Sequence, residues 1–459
     1  MSSIFIFRRD FRNYDNIGFL KCIKETSKNY KIYPIFIFTP EQIKKNEFKS
    51  DNAVQFMVES LQELNKKVKL NLYYGHYLDV LKELIKTHSE IKAVYTNTDY
   101  TPYAIKRDQE IGKILKKLNI KFKPCHDITF FEPKTILNLS GGIYQKFTPF
   151  YHKCLDIDIP KPKKHLKDIN IGKLKKNKYS IDFSITKEYY KFNSELNVNG
   201  GRKLGKAILK KIKDFKDYDN TKNILAIETT HLSAYLKFGC LSIRETFHQL
   251  VKHLGKNDPL IRQLIWREFY YHLGHGFIEK FGYSLKEIYD NIKWKKNPQH
   301  LEAWKKGETG FPIIDACMTE INRSGYMHNR GRLLVASFLI KNLGIDWREG
   351  EKYFAQSLVD YDVLVNNGNW QWVSGSGADS QQYIRVFNPE LQSKRYDSEG
   401  EYIKYWLPQL KEIPSKELHE WSKYHKKYDI KKINYYQPII DYKSSKEKVM
   451  RMYKKALHS

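Results

Sequence analysis

The sequence predicts an α/β domain built on a parallel sheet, followed by an all-α domain, and three observations carry that prediction. Over the first 130 residues short apolar runs alternate with longer amphipathic ones, the pattern of βαβ units wound around a parallel sheet. After about Ser194 apolar residues recur at three and four positions, which is the helical period. All eight tryptophans lie between Trp266 and Trp421, so the two regions have different cores and different tasks. A chain of 459 residues is also too long for one ordinary core.

In chain order, strands are predicted at Ile4–Phe7, Ile32–Phe38, Leu70–Tyr74, Ala93–Asn97 and Ile120–Phe122, each a short run rich in β-branched and aromatic residues. Amphipathic helices over segments such as Val54–Leu64 and Leu78–Ile85 supply the crossovers that parallel neighbours need. No G-x-G-x-x-G follows the first strand, so a dinucleotide site of that kind is not supported there. From Lys161 to Lys178 eight lysines stand against one Asp with little periodicity. That composition predicts a solvated linker or surface loop, with nucleic-acid contact as the alternative. Helices follow over Leu204–Ile212, Ser233–Leu236, Ile243–Leu254, Leu260–Phe277, Ile313–Ile321 and Arg332–Asn342. The expected divisions are 1–130 for the α/β domain, 131–193 for the linker and 194–459 for the helical domain.

Lys and Arg number 80 against 52 Asp and Glu, a net charge of +28, which makes nucleic acid the first candidate partner and an acidic protein a lesser one. With 41% hydrophobic residues the charge belongs to a folded protein and not to a disordered basic tail. Cys22, Cys125, Cys154, Cys240 and Cys317 lie far apart with no CxxC pair, which argues against a zinc or iron–sulfur site and a disulfide scaffold and favours a reducing compartment. The start Ile4-Phe5-Ile6-Phe7-Arg8-Arg9-Asp10 lacks a secretory pattern. Apolar runs such as 333–340 fall far short of the ~20 residues that span a bilayer. A soluble intracellular protein, cytoplasmic or nuclear by organism, and a monomer, is expected.

Three stretches carry candidate chemistry. Thr229-Thr230-His231-Leu232-Ser233 precedes a helix and offers hydroxyls and free N–H groups that suit a helix cap or a phosphate. Leu358-Val359-Asp360-Tyr361-Asp362 leads into Asn366-Asn367-Gly368-Asn369-Trp370-Gln371-Trp372. Such crowding of carboxylates, amides and indoles suits a buried planar ligand, or else a turn over an aromatic core. Gly325-Tyr326-Met327-His328-Asn329-Arg330-Gly331-Arg332 opens another helix; Arg332 is placed to pair with Asp360 or Asp362 and Arg330 to face a phosphate, with surface arginine as the plain alternative.

Together with Ile6-Phe7-Arg8-Arg9-Asp10-Phe11-Arg12, Asp15-Asn16, Trp266-Arg267-Glu268-Phe269, Thr309-Gly310-Phe311-Pro312-Ile313-Ile314-Asp315, Asp346-Trp347-Arg348-Glu349-Gly350 and Arg385-Val386-Phe387-Asn388-Pro389, these stretches resemble the DNA photolyase and cryptochrome family, in its order and spacing over nearly the whole chain. Among its members the sequence is most similar to class I, archaeal-type photolyases of cyclobutane pyrimidine dimers. The resemblance implies an N-terminal antenna domain, a long connection and a helical domain holding FAD. It places Tyr218, Lys222, Thr229, Thr230, Leu232 and Ser233 at the diphosphate and ribose, with Lys222 where Arg is usual. Arg267, Asn329 and Arg332 then belong to the flavin pocket, Asp360 and Asp362 to its ring and adenine side, and Asn366 faces flavin N5. Trp370, Trp347 and Trp294 match a tryptophan relay that reduces the flavin by light. Gln263, Trp266, Arg330, Trp372 and Arg385 fall on the substrate side.

By the same resemblance, photoexcited reduced FAD donates an electron to a dimer flipped out of UV-damaged DNA, and the ring splits. Two positions depart from the pattern. Gln263 stands where cyclobutane-dimer enzymes usually carry Glu, and Leu333 where they usually carry Met. Repair of (6-4) products is disfavoured, since Asn329 and Leu333 occupy the places of the histidine pair that those enzymes need. A cryptochrome photoreceptor is the alternative: Gln263 favours it, while Asn366 and the lack of a long tail after the Tyr442-Lys443 region count against it. Asn97-Thr98-Asp99-Tyr100-Thr101-Pro102-Tyr103 at a strand end resembles archaeal-type members, so a flavin or deazaflavin antenna is favoured over methenyltetrahydrofolate, in a place where open α/β sheets bind ligands.

Overall fold

The structure, a computed structural model, describes residues 1–44, 46–164, 169–380 and 382–458. Five parallel strands, β1 (Ser2–Ile6), β2 (Ile32–Phe38), β3 (Asn71–Tyr74), β4 (Ile91–Asn97) and β5 (Lys121–Cys125), lie in the order β3-β2-β1-β4-β5. The helices α1 (Ile17–Glu25), α2 (Asp51–Val68), α3 (Tyr77–Thr87) and α4 (Pro102–Lys117) provide the crossovers. β1 and β2 are buried at every position, as their unbroken apolar runs require when both faces of a parallel sheet are covered. Strand β5 extends beyond the predicted Ile120–Phe122. It is an edge strand reading Lys-Phe-Lys-Pro-Cys and half exposed, so no apolar run marks its end.

The lysine-rich segment is a surface loop, one of the two forms expected for it, and it is tied to the sheet instead of running free through solvent. Its lysines at 161, 163, 164, 173, 175, 176 and 178 are exposed, but the residues between them return to the sheet. Gly172 N–H donates to the Ile32 carbonyl (2.9 Å), Ile181 N–H to Leu72 (3.0 Å), and Tyr74 N–H to Tyr179 (2.8 Å). Leu174 is buried against the outer sheet face. Apolar residues spaced through a charged run were the signal. Lys167, within the same run, lies outside the described residues.

Helices that shape the second region are α5 (Phe147–Leu155), α6 (Leu232–Lys237), α7 (Ile243–Leu254), α8 (Pro259–Gly276), α9 (Pro312–Ser324), α10 (Asn329–Ser337), α11 (Trp347–Ser357), α12 (Val363–Ser374) and α13 (Tyr442–His458). The helix predicted over Arg332–Asn342 begins a turn earlier, at Asn329, and passes at Phe338 into a π-helical turn that ends at Gly344 with φ +70. One apolar core runs from the sheet (Phe5, Phe7, Phe36) into α7 and α8 (Phe247, Leu264, Phe269); a second, holding Trp304, Trp347 and Trp370, belongs to the helical region.

Charge also joins the two regions. The Arg244 guanidinium on α7 donates to Asp15 Oδ2 (2.9 Å), the Asp15 carbonyl (3.0 Å), Asp127 Oδ1 (2.7 Å) and the Asp127 carbonyl (3.0 Å). Arg12 donates to the other oxygen of Asp127 at 2.6 Å, and the Ser242 hydroxyl to Asp15. All are buried, so each charge has a partner where an unpaired one would cost several kcal/mol. Among the described residues no helix is long and apolar enough to cross a membrane.

Candidate flavin site, electron relay and lesion face

Three chain segments converge where α6, α10 and α12 begin. Asp362 is the N-cap of α12, its side chain accepting from Val365 N–H. One turn later Asn366 is buried with its amide Nδ2 donating to the Asp362 carbonyl (3.3 Å), and one turn beyond that is Trp370. The helical spacing of four thus puts the cap, the amide and the indole on one stripe. Opposite, Arg332 in the first turns of α10 donates to Asp360 Oδ2 at 3.0 Å and to the Met327 carbonyl at 2.8 Å, and the Ser233 hydroxyl reaches the same Asp360 oxygen at 2.6 Å. Burial opposes charge on Asp360, but Arg332 and Ser233 outweigh it and hold the carboxyl below its usual range. At Asp362 burial is likewise outweighed, there by Arg9, Arg267 and Tyr271. Both carboxylates are ionised at neutral pH.

Residues expected at a diphosphate and ribose lie along the rim. Tyr218, Lys222, Thr229 and Thr230 are half-buried, Ser233 and Asn329 exposed, and Leu232 buried. Lys222 pairs with Asp219. Arg267 donates to the Ile128 carbonyl (2.8 Å) and lies over the Tyr271 ring at 4.6 Å. Asp360 Oδ1 and His328 Nε2 are buried with no hydrogen-bond partner in the protein. A carboxylate oxygen and a ring nitrogen left over beside hydroxyls, amides and two guanidinium groups fit a ligand with both donors and phosphate oxygens, as FAD has.

Beneath this pocket Glu320 accepts from His328 N–H (3.1 Å) and the Tyr402 hydroxyl (2.5 Å) through the same oxygen. Burial nevertheless pushes its pKa up from 4.5 to about 7. Between those values the folded protein keeps a proton that the unfolded chain has released, so the stability from this group is complete below 4.5 and lost as pH rises through 7. Glu320→Gln lacks that term. Its stability relative to the parent, read by denaturant titration, should improve by about 2–3 kcal/mol between mildly acidic and mildly alkaline buffer.

The three tryptophans expected to form a relay are graded by depth. Trp370 and Trp347 are 2% and 1% exposed, while Trp294 reaches the surface. Trp370 lies on Gly350, where an added Cβ would come within 2.2 Å of the indole; Gly350 is one residue short of a turn from Trp347 on α11. Phe354 (4.9 Å) and Trp304 (6.5 Å) surround the Trp370 ring. Trp294 meets the Tyr453 ring edge-on at 5.9 Å. Trp304, fully buried, had no sequence signal that set it apart from core filler.

On the proposed lesion face Gln263 is exposed on α8. One turn on, Trp266 stacks on Phe147 of α5 at 3.5 Å, with Tyr270 beyond it at 5.7 Å, and Arg262 covers Phe147 from 5.2 Å. This ladder joins residues from distant sequence, so only Trp266 was legible. Arg330 donates to Asn223 (2.6 Å) and lies over the Tyr396 ring (4.3 Å), which places it in a local cluster instead of free in solvent. Arg385 is exposed beside Phe387, and Trp372 is half-buried against the helical core.

A second polar cluster lies near the carboxyl ends of β1 and β4, the point where the strand order reverses and open sheets bind ligands. Arg8 and Arg107 share Asp108, at 2.8 and 3.0 Å, and both guanidinium groups lie over Tyr77, with Arg107 also over the exposed ring of Tyr103. Buried N–H groups of each arginine have no acceptor in the protein.

Residues 260–455 match the family described as the FAD binding domain of DNA photolyase, and residues 3–166 the family described as DNA photolyase. The chain is 35% identical to the deoxyribodipyrimidine photo-lyase of Buchnera aphidicola from Acyrthosiphon pisum, over 98% of this chain and 96% of that protein. It is 31% identical to the Escherichia coli K12 enzyme of the same name, over 98% of each. Among solved structures, the archaeal photolyase of Sulfolobus tokodaii, determined with two FAD molecules, superposes with TM-score 0.88 at 35% identity, covering 99% of this chain and all of that one. A Synechocystis cryptochrome superposes with TM-score 0.88 at 27% identity, over 98% and 99% of the two chains.

Proposed function

Because this chain belongs to the DNA photolyase family, we propose that it repairs ultraviolet-damaged DNA, splitting cyclobutane pyrimidine dimers in light with FAD as its working cofactor. The bonds broken join two pyrimidines through carbon, so the enzyme is a carbon–carbon lyase. One observation carries the cofactor assignment: the Arg332–Asp360 pair and its unpartnered Asp360 oxygen sit at the meeting of three helix starts, just before the helix that carries Asn366 and buried Trp370. FAD bound there in its reduced form supplies, when excited, one electron to the dimer and receives it back.

The side chains position, insulate and wire that site. Tyr218, Lys222, Thr229, Thr230, Leu232 and Ser233 hold the diphosphate and ribose. Arg267, Asn329 and Arg332 place positive charge and donors beside Asp360 and Asp362, and Asn366 presents its amide from the stripe that Asp362 starts. Trp294, Trp347 and Trp370 carry an electron inward from the surface. Gln263, Trp266, Trp372, Arg330 and Arg385 receive the everted lesion and its strand. Eversion costs a few kcal/mol, least at a damaged step, and the +28 charge favours the phosphate contacts that offset it. No proton transfer is needed for ring opening, and none of these residues is asked for one.

Gln263 donates and accepts hydrogen bonds but carries no ionisable proton. Gln263→Glu replaces an amide N–H donor with a carboxylic acid O–H, a stronger donor to a lesion carbonyl that gains negative charge, and is expected to raise the yield of dimer repair per absorbed photon by up to about tenfold, the worth of about 1.4 kcal/mol. An unchanged or lower yield in single-turnover illumination would remove Gln263 from the lesion contacts.

Beside the second polar cluster, a flavin or deazaflavin antenna is the favoured ligand over methenyltetrahydrofolate. Two arginines with spare N–H groups and the Tyr77 and Tyr103 rings suit a planar ligand bearing phosphate, and the Sulfolobus tokodaii protein was solved with two FAD molecules. Chromophores released from purified protein should include a second flavin-type compound; a pterin would overturn this part alone. Five free, buried cysteines support a reducing, cytoplasmic setting, and we take the working unit to be a monomer.

The deciding experiment illuminates FAD-loaded, reduced protein with DNA carrying either a cyclobutane dimer or a (6-4) product and measures restored bases. Restoration of the cyclobutane dimer alone, and only in light, is expected. A protein that loads FAD yet restores neither lesion is a photoreceptor, and one that restores only the (6-4) product has the other repair specificity.

A further inference from the structure

Arg9 is the second residue after the Phe7 that follows β1, and the sequence gives it no special mark beside its neighbours Arg8 and Asp10. In the structure its guanidinium stands at the meeting of five segments. Nε donates to the Lys237 carbonyl at the end of α6 (3.1 Å), Nη1 to Asp99 beyond β4 (3.4 Å), and Nη2 to the Tyr271 hydroxyl of α8 (3.0 Å) and to Asp362. The Tyr271 hydroxyl in turn donates to the same Asp362 oxygen at 2.6 Å. Asp362 caps α12 and its carbonyl accepts both the backbone N–H (2.8 Å) and the side-chain amide of Asn366. Lys237, whose ammonium donates to the Val359 carbonyl (3.0 Å), borders the same carboxylates: burial, and after it Arg9, lowers its pKa to about 7 against the pull of Asp360 and Asp362.

We infer that Arg9 is a positioning residue for the flavin pocket: by clamping Asp362 and the end of α6 at once, it fixes the Asn366 amide and sets the charge beneath the ring from the antenna-domain side. The inference rests on the cofactor reading above. A guanidinium suits this post because its planar fork satisfies acceptors on several elements together, which a lysine does not. Its charge offsets Asp362, so its loss leaves that buried carboxylate one positive charge short, with Arg267, Lys237 and the Tyr271 hydroxyl still around it, and puts more negative charge beside a flavin that becomes negative on reduction.

The test measures FAD affinity of the apoprotein and the midpoint potential of the bound flavin in the parent, Arg9→Gln, Arg9→Lys, Asp362→Asn and Arg9→Gln/Asp362→Asn. Arg9→Gln should weaken FAD binding about tenfold, the scale of one lost charge-assisted contact, and move the potential to more negative values. Arg9→Lys should recover part of both. The double variant should return the potential toward the parent, because charge and counter-charge leave together and the two sites act as one unit. Arg9→Gln that melts earlier yet binds FAD with parental affinity and potential would overturn the inference, leaving Arg9 a structural link only. If Arg9→Gln does not fold, Arg9→Lys and the double variant decide between the same two outcomes. A parent that takes up no FAD would instead bring down the cofactor reading itself.

Discussion

Arg244→Met is expected to cost about 3–5 kcal/mol of stability, because it strips one guanidinium from a buried cluster and leaves its acceptors behind. Four hydrogen bonds end on that group, two at carboxylates and two at backbone carbonyls of Asp15 and Asp127. Methionine fills the volume but returns none of them. Arg12 remains to face Asp127 and the Asp15 carbonyl, so among the described residues the Asp15 carboxylate keeps only the Ser242 hydroxyl as a side-chain donor. A loss of this size is a large part of the 5–15 kcal/mol that typically separates folded from unfolded protein. Arg244→Lys should recover little, since one ammonium does not span both aspartates. Denaturant titration followed by tryptophan fluorescence reads the helical region, where all eight indoles lie. Far-ultraviolet circular dichroism reads both regions. A cost below about 1 kcal/mol, the range of an exposed pair, would show that the shared apolar core and not this cluster joins the two regions.

That cluster also shows where sequence reading stops. The strands at Ile4–Phe7 and Ile32–Phe38 were legible because buried parallel strands need unbroken apolar runs, and Ile243–Leu254 because one face alone is buried. Asp360, Asp362, Asn366 and Trp370 stood out through composition: carboxylates, amides and indoles rarely crowd together without cause. Arg9, Lys237 and Arg244 did not, since in a chain with 80 basic residues each reads as surface until the fold brings its partners from far along the chain. Asp127 and Asp362 lie 117 and 353 positions from the arginines they bind. The Trp266–Phe147 stack was hidden in the same way. In the lysine run the charge was legible as a surface loop, while the Ile171 and Leu174 within it, which tie it to the sheet, were not read.

Trp370→Phe is expected to cut light-driven reduction of bound FAD to a small fraction of the parent rate while leaving FAD binding intact. Trp370 is buried one turn beyond Asn366 on the same stripe of α12 with its ring against Gly350 of α11, which makes it the proposed inner donor between Trp347 and the flavin site. Phenylalanine preserves an aromatic ring against Gly350 and Phe354 but is far harder to oxidise than an indole. The smaller ring leaves a gap under the pocket, worth about 1–2 kcal/mol of packing, which lowers the melting temperature without removing a polar partner of the cofactor. Two further measurements separate wiring from packing. Protein reduced chemically before illumination should repair dimers at the parental yield, because the relay supplies the electron only once and repair returns it. Trp304→Phe, which removes an equally buried indole 6.5 Å from Trp370 and off the proposed path, should leave photoreduction near the parental rate. Parental photoreduction in Trp370→Phe would remove Trp370 from the relay, and a loss confined to Trp304→Phe would assign the inner donor to Trp304.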